Sequence, residues 1–199
     1  MLELAKESSG QTYDGTVINL KNGEHLKPEY KAINPRGQVP ALIVDGKLLT
    51  QVMAITNFLN DTFPKANIFP SNPMDKAQAL SMLAWMNNTV HPTFTRVFRP
   101  ERFGDEAGKA GVKAMALETF KGYLNEINEL VSKGQQFICG SQLSPADIYA
   151  VAFMRWAGLA GINPNQYPHY MKYAEGIANL PVVARIMEKE GIQLKTFAG

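Results

Sequence analysis

Few side chains in this sequence are of a type that could do chemistry. The single cysteine, Cys139, lies among apolar neighbours in FICG and reads as a buried, inert thiol. His25 and His169 stand in polar contexts with no partner at ligand spacing. No metal-ligand spacing, phosphate-cradling glycine loop or nucleophile elbow occurs. That leaves His91. It belongs to a run Leu80, Ala84, Asn87, His91, Phe94 and Phe98, spaced by three and four, which is one stripe of a helix with two polar interruptions. A lone histidine on such a stripe is either a hydrogen-bonded interface residue or a group that steadies a thiolate or donates to a bound substrate. Arg96 and Arg99 beside it read as solvated, or paired with Glu101.

The elements that position these residues are legible in part. Asn34-Pro35-Arg36-Gly37 is turn chemistry, since Pro35 fixes φ and Gly37 permits φ > 0. Ala41 to Val44 is a short apolar run expected to form a buried strand, and Asp45-Gly46 is a strong signal for a two-residue hairpin. Lys47 to Leu49 returns as its partner. Thr50 is the expected cap of a helix with Ile55, Phe58 and Leu59 on one side. Upstream, Met1 to Glu7 suits a helix closed at Gly10, Thr16 to Leu20 is a strand candidate, and Lys21 to Lys31 reads as irregular. Downstream, Asp61 to Asp75 holds three prolines and reads as a connection. Beyond it the pattern is helical. Pro92 should kink or end the first long helix. Val112, Leu117, Phe120, Leu124, Ile127 and Val131 mark an amphipathic one, with Gly134 as its stop. Ser144-Pro145-Ala146-Asp147 is a capping box in its aspartate form, opening an almost wholly apolar helix at Ile148 to Phe153. Two shorter helices follow, near Pro168 to Ala178 and from Pro181 to Glu190.

Two of these stretches carry a resemblance. NPRGQVPAL followed by a hairpin and L-T-x-x-x-A-I is similar to the second half of the thioredoxin-like domain of glutathione transferases. G-x-x-x-S-x-A-D-I before an apolar helix resembles the core helix of their C-terminal domains, whose role there is folding. WMNNTVHPTFTRVFRPERF resembles the helix that lines the cleft opposite the glutathione site in bacterial members. The resemblance implies an α/β thioredoxin-like domain over residues 1–64, a linker over 65–74 and an all-helical domain over 75–199. It implies a cis proline at Pro40. The main chain of Val39, with Gln38, would hold the glutathione backbone, which is strand-like recognition. The pair at the start of the third helix, which holds the γ-glutamyl end, reads Gln51-Val52 here in place of an acidic residue and a serine. The lost hydroxyl removes a hydrogen bond to a charged group, worth ~1.5–3 kcal/mol. Asn87, His91 and Phe94 would form the hydrophobic-site wall.

The resemblance also marks something missing. A thioredoxin-like domain begins with a strand ahead of the first helix, followed by a loop that carries the thiol-activating tyrosine, serine or cysteine. No residues match either, so the catalytic residue is unknown apart from His91. A chain that has lost its beginning and a chain that is natively short are both compatible with this. The implied activity is conjugation of glutathione, as co-substrate, to small hydrophobic electrophiles, or glutathione-dependent reduction. The alternative is a non-catalytic binding or protein-interaction module. A homodimer is implied.

Composition sets outer bounds. The 199 residues are 45% hydrophobic and 19% charged, ordinary for a globular protein with a real core. A net charge of +2 is too small to argue for nucleic acid. One cysteine excludes an internal disulfide and fits a reducing compartment. No apolar run approaches ~18 residues, and Lys6 and Glu7 interrupt the start where a signal peptide would stay apolar, so cytoplasm is expected.

Overall fold

The computed structural model describes residues 1–194. The chain divides into two compact units, Met1–Ile68 and Phe69–Gly199.

In the first unit, α1 (Leu2–Ser9) buries Ala5 and ends at Gly10, whose φ of 73° closes the helix on the left-handed side. Glu3 accepts a hydrogen bond from the Tyr13 hydroxyl at 2.6 Å. The strand expected at Thr16 to Leu20 does not form. Val17 is 69% exposed and Leu20 46% exposed, so β-type residues here have neither a partner ladder nor a surface to cover. The stretch expected to be irregular instead holds a 3-10 turn at Glu24–Leu26 and α2 (Pro28–Ile33), with Pro28 at its first position. Gly37 is required where it stands. Its φ is 58°, and a Cβ there would sit 2.8 Å from the carbonyl oxygen of His25.

Strands β1 (Ala41–Val44) and β2 (Lys47–Thr50) pair antiparallel, with Ala41 opposite Thr50 and Val44 opposite Lys47. The loop residues Asp45 and Gly46 both have positive φ, 49° and 74°, the backbone that a two-residue hairpin of matching twist needs. The hairpin is not buried as expected. Ile43 is 55% exposed and its cross-strand partner Leu48 40% exposed, because no further strand or helix among the described residues covers that face. Helix α3 (Val52–Thr62) packs on β2 and buries Ile55, Thr56 and Leu59, while Phe58 is half-buried. Its N-cap is Gln51, one residue later than expected, and no side chain caps it.

The proline-rich stretch after α3 is more ordered than a bare connection. It makes a 3-10 turn at Pro64–Ala66 and buries Ile68 and Phe69. The second unit then holds α4 (Pro73–Trp85), α5 (His91–Phe98), α6 (Lys109–Val131), α7 (Pro145–Leu159), α8 (Pro168–Ala178) and α9 (Pro181–Lys189). Asn72 caps α4, its side chain accepting from the N–H groups of Met74 and Asp75. Pro92 does not end the helical run. Five residues, Met86–Val90, form a π turn between α4 and α5, in which the N–H of His91 reaches back to the carbonyl of Met86. A proline ring collides with the carbonyl four residues before it and offers it no N–H. Widening the turn relieves both, so the helix continues.

The stripe from Leu80 to Phe98 is not the core face. The buried apolar residues are Ala79, Leu83, Met86, Val90, Phe94 and Val97, and only Phe94 is common to both sets. Leu80, Ala84, Asn87 and His91 are half-buried and Phe98 is exposed, so this face flanks the core. Helix α6 behaves closer to expectation, with Phe120, Leu124, Ile127 and Val131 buried and Val112 and Leu117 half-buried. These residues meet the buried face of α7, including Ala150, Phe153, Met154 and Ala157, in one continuous core.

Asp147 anchors the start of α7. It is fully buried, and its carboxylate accepts from the N–H and O–H of Ser144 (2.6 and 2.8 Å), from the N–H of Ile138 (2.8 Å) and from the hydroxyl of Tyr173. Cys139 lies beside this cluster. Burial pushes its thiol up to about 11; the Asp147 carboxylate adds to the shift and a Ser144 hydrogen bond works against it. At neutral pH its thiolate fraction is therefore far below that of a free cysteine. Alkylation of the native protein at pH 7.4 is expected to run on the order of a hundredfold slower than in denaturant, read by mass spectrometry against time. Comparable rates would show an accessible, normally acidic thiol.

Candidate functional site

The hairpin register creates the candidate site of the first unit. Because Ala41 stands opposite Thr50, the ends of the two strands emerge side by side, bringing Val39-Pro40 next to Gln51-Val52. The Val39–Pro40 bond is cis. Two residues that were not expected to serve the site hold the approach to it. The Tyr30 hydroxyl and the Asn34 side-chain N–H₂ both donate to the carbonyl of Gln38, each at 2.7 Å. Asn34 is 2% exposed, and its own carbonyl accepts from the N–H of Gly37 at 2.9 Å. Asn34 was legible as part of the turn motif. Tyr30 lay in a stretch read as irregular and gave no signal. Gln38 is thus pinned by its main chain, with its side chain free in solvent.

Val39 itself is 41% exposed, and among the described residues no main-chain partner takes its N–H or carbonyl. That leaves main-chain polar groups open to a ligand's main chain. Beside it α3 begins without a side-chain cap, so the N–H groups of its first turn face outward at its positive end. Gln51 holds φ 73° and ψ 125°, backbone that a non-glycine residue adopts only at a cost of order 1–3 kcal/mol. Gln51→Gly relieves that strain and loses ~0.5–1 kcal/mol to unfolded-state freedom. A net gain of about 1 kcal/mol in urea unfolding is the expected result. A loss would mean that the side chain is itself stabilising.

The second unit carries the other set of residues. Asn87, His91 and Phe94 do lie on one face. Phe94 stacks on Trp156 of α7, centroids 4.3 Å apart and planes within 15°. His91 packs 4.9 Å from the same indole and 6.1 Å from the ring of Tyr149. The Tyr149 hydroxyl donates to Asn87 Oδ1 at 2.7 Å. Burial among these rings holds the His91 imidazole below its ordinary range, so it is neutral at pH 7 and keeps one N–H to donate. Tyr149 and Trp156, both on α7, were not anticipated as members of this wall. Arg96 lies over the ring of Phe103 at 4.9 Å, and Arg99 reaches Glu101 at 3.9 Å in solvent.

Comparison with known proteins decides the family. The model of the glutathione S-transferase N-terminal domain matches residues 2–61, and that of the C-terminal domain matches residues 85–181. The glutathione S-transferase GstA of Escherichia coli O157:H7 is 33% identical over 193 residues, spanning 96% of this chain and 90% of that protein. This chain belongs to the glutathione S-transferase family. Its fold is that of the family, a thioredoxin-like N-terminal domain followed by an all-helical C-terminal domain. The structure of a sphingomonad glutathione S-transferase complexed with glutathione is 28% identical, with a TM-score of 0.78 over 96% of this chain and 92% of that one. The glutathione S-transferase from Xylella fastidiosa superposes with a TM-score of 0.83 over 96% of this chain and 92% of that one; at 24% identity it speaks for the fold alone.

Among the described residues of this transferase-family chain, no helix is long and apolar enough to cross a membrane. Nor does any group of three or more His, Cys, Asp or Glu side chains stand where a metal could be held.

Proposed function

We propose that this chain binds glutathione on its first unit, through the main chain of Val39 beside Pro40 and the exposed first turn of α3. Its reaction is attack of the glutathione thiol on a small apolar electrophile, for which Asn87, His91 and Phe94 of the second unit are the binding wall. The observation that carries the reading is the unpaired, exposed main chain of Val39, set by the hairpin register next to an uncapped helix N-terminus. Gln38 directly precedes Val39, with its carbonyl already engaged by Tyr30 and Asn34. In this reading Gln51 accepts from the γ-glutamyl ammonium, and the N–H of Val52 donates to its carboxylate.

The thiol supplies the nucleophile. The chain's residues orient it by main-chain pairing, and on the second unit they offer an aromatic floor with one neutral donor, His91. The same arrangement serves reductive chemistry when the electrophile is a disulfide. The working form is a homodimer, measurable by light scattering.

Titration of the isotope-labelled protein with glutathione tests the first half. The amide of Val39 and those of the first α3 turn are expected to move most. Saturable binding that leaves Val39 unmoved would put the ligand elsewhere. Turnover of a chlorinated aromatic test substrate with glutathione tests the second half. Binding without turnover would mark a glutathione-holding module, the reading that the Gln51-Val52 pair favours.

A further inference from the structure

His91 is aimed without any polar partner of its own. No described residue hydrogen-bonds its imidazole; it is held between the rings of Tyr149 and Trp156 and carried on the helix directly after the π turn. Two things therefore set where the ring points: the indole and phenol packed against it, and the height and rotation of the turn beneath it. A π turn is the least determined part of a helix, since it gives up the tight i→i−4 ladder for a wider ring. Something outside the helix must choose its geometry.

The structure shows such a tie. Asn87 lies inside the turn, four residues before His91 on the same face. Its Oδ1 accepts from the Tyr149 hydroxyl at 2.7 Å, across a separation of 62 residues in sequence, and its Nδ2 donates to Asn88 Oδ1 at 2.8 Å. Tyr149 is itself rooted in the centre of the unit. It stands two residues after the buried Asp147 cluster, and its ring packs on Phe153 at 5.3 Å. Trp156 stands about two turns further along the same helix, and it contacts Phe153 as well as His91 and Phe94. One rigid helix thus presents a hydroxyl to the turn and two rings to the histidine.

We propose that Tyr149 is the positioning residue for His91, its hydroxyl fixing the π turn through Asn87 while its ring, with that of Trp156, holds the imidazole. The inference rests on the reading of His91 as part of the electrophile wall. It assigns Tyr149 no contact with the reacting atoms. Burial raises the Tyr149 hydroxyl to about 12, so it remains a donor throughout the working pH range.

Tyr149→Phe keeps the ring and removes only the hydroxyl. The His91 ring signals in a proton–carbon NMR spectrum are expected to shift and broaden as the turn samples more than one geometry. With the test electrophile, kcat is expected to fall about three- to tenfold while KM for glutathione stays put, the loss of one neutral hydrogen bond expressed in aim rather than in binding. Asn87→Ala removes the other end of the tie and should give the same spectrum. Asn87→Asp still accepts from Tyr149 and should restore it. Unchanged His91 signals in both Tyr149→Phe and Asn87→Ala would overturn the inference, as would a change in the glutathione KM equal to that in kcat. His91→Asn separates this from the reading beneath it. If that variant turns over normally, the histidine has no part in the reaction, and the NMR comparison still decides whether Tyr149 positions it.

Discussion

Asp147→Ala is expected to destabilise the protein by about 4 kcal/mol, the largest effect of any single substitution argued from this structure. One carboxylate with no exposure collects four donors: two from Ser144 and one each from Ile138 and Tyr173. Alanine leaves all four pointing into a dry cavity, and each unsatisfied buried donor costs roughly 1–3 kcal/mol, less where a hydroxyl can rotate away. The loss falls at the first turn of α7, whose buried face is the middle of the second unit's core, so it is not confined to a loop. Against a total stability of about 5–15 kcal/mol this is a large fraction, and for a chain of this length it lowers Tm by roughly 10 °C. Tyr173→Phe removes one donor and keeps the acceptor, so about 1 kcal/mol is expected there. The tyrosine's ionisation is raised, by burial first and then by the Asp147 carboxylate, which keeps it a donor across the usable pH range. Urea unfolding followed by circular dichroism ranks the two variants. An Asp147→Ala loss no larger than that of Tyr173→Phe would mean that water or rearrangement satisfies the cluster.

Val52→Ser is expected to tighten glutathione binding roughly tenfold to hundredfold. Val52 is the first residue of α3, half-buried, at the edge of the proposed γ-glutamyl site. Its N–H is available there but its side chain offers nothing to a carboxylate. A serine hydroxyl adds one hydrogen bond to a charged group, worth ~1.5–3 kcal/mol, and each 1.4 kcal/mol is a factor of ten in affinity. Serine also suits a helix start better than a β-branched valine, so no stability loss should mask the gain. Val52→Ala is the control, since it changes size without adding a donor. Calorimetric titration of the three proteins settles it, and a serine variant no tighter than the alanine one sinks the placement of the ligand.

How much of this was legible beforehand differs between the units for physical reasons. Asp45-Gly46 announced the hairpin because its two positive φ values are a demand that few residue pairs meet. Ser144-Pro145-Ala146-Asp147 announced the start of α7 because a cap acts within four residues. Signals of that kind are local and survive in one dimension. The strand expected at Thr16 to Leu20 failed because strand formation needs a neighbour, and composition cannot supply one. The Leu80 to Phe98 stripe was legible as a face, but the buried face beside it was not, because spacing reveals a periodicity without saying what covers it.

Local chemistry in the chain thus marked the hairpin and the cap at Asp147, and the resemblance that these motifs carry implied the family's two-part plan and the turn at Val39-Pro40. The folded arrangement of these segments decided what gives those features a use. Tyr30 and Asn34 converge on one carbonyl, the hairpin register sets Val39 against the head of α3, and α7 reaches over to tie down a π turn. Such pairings form only once the intervening chain has been folded into place, so the residue types along the sequence do not announce them.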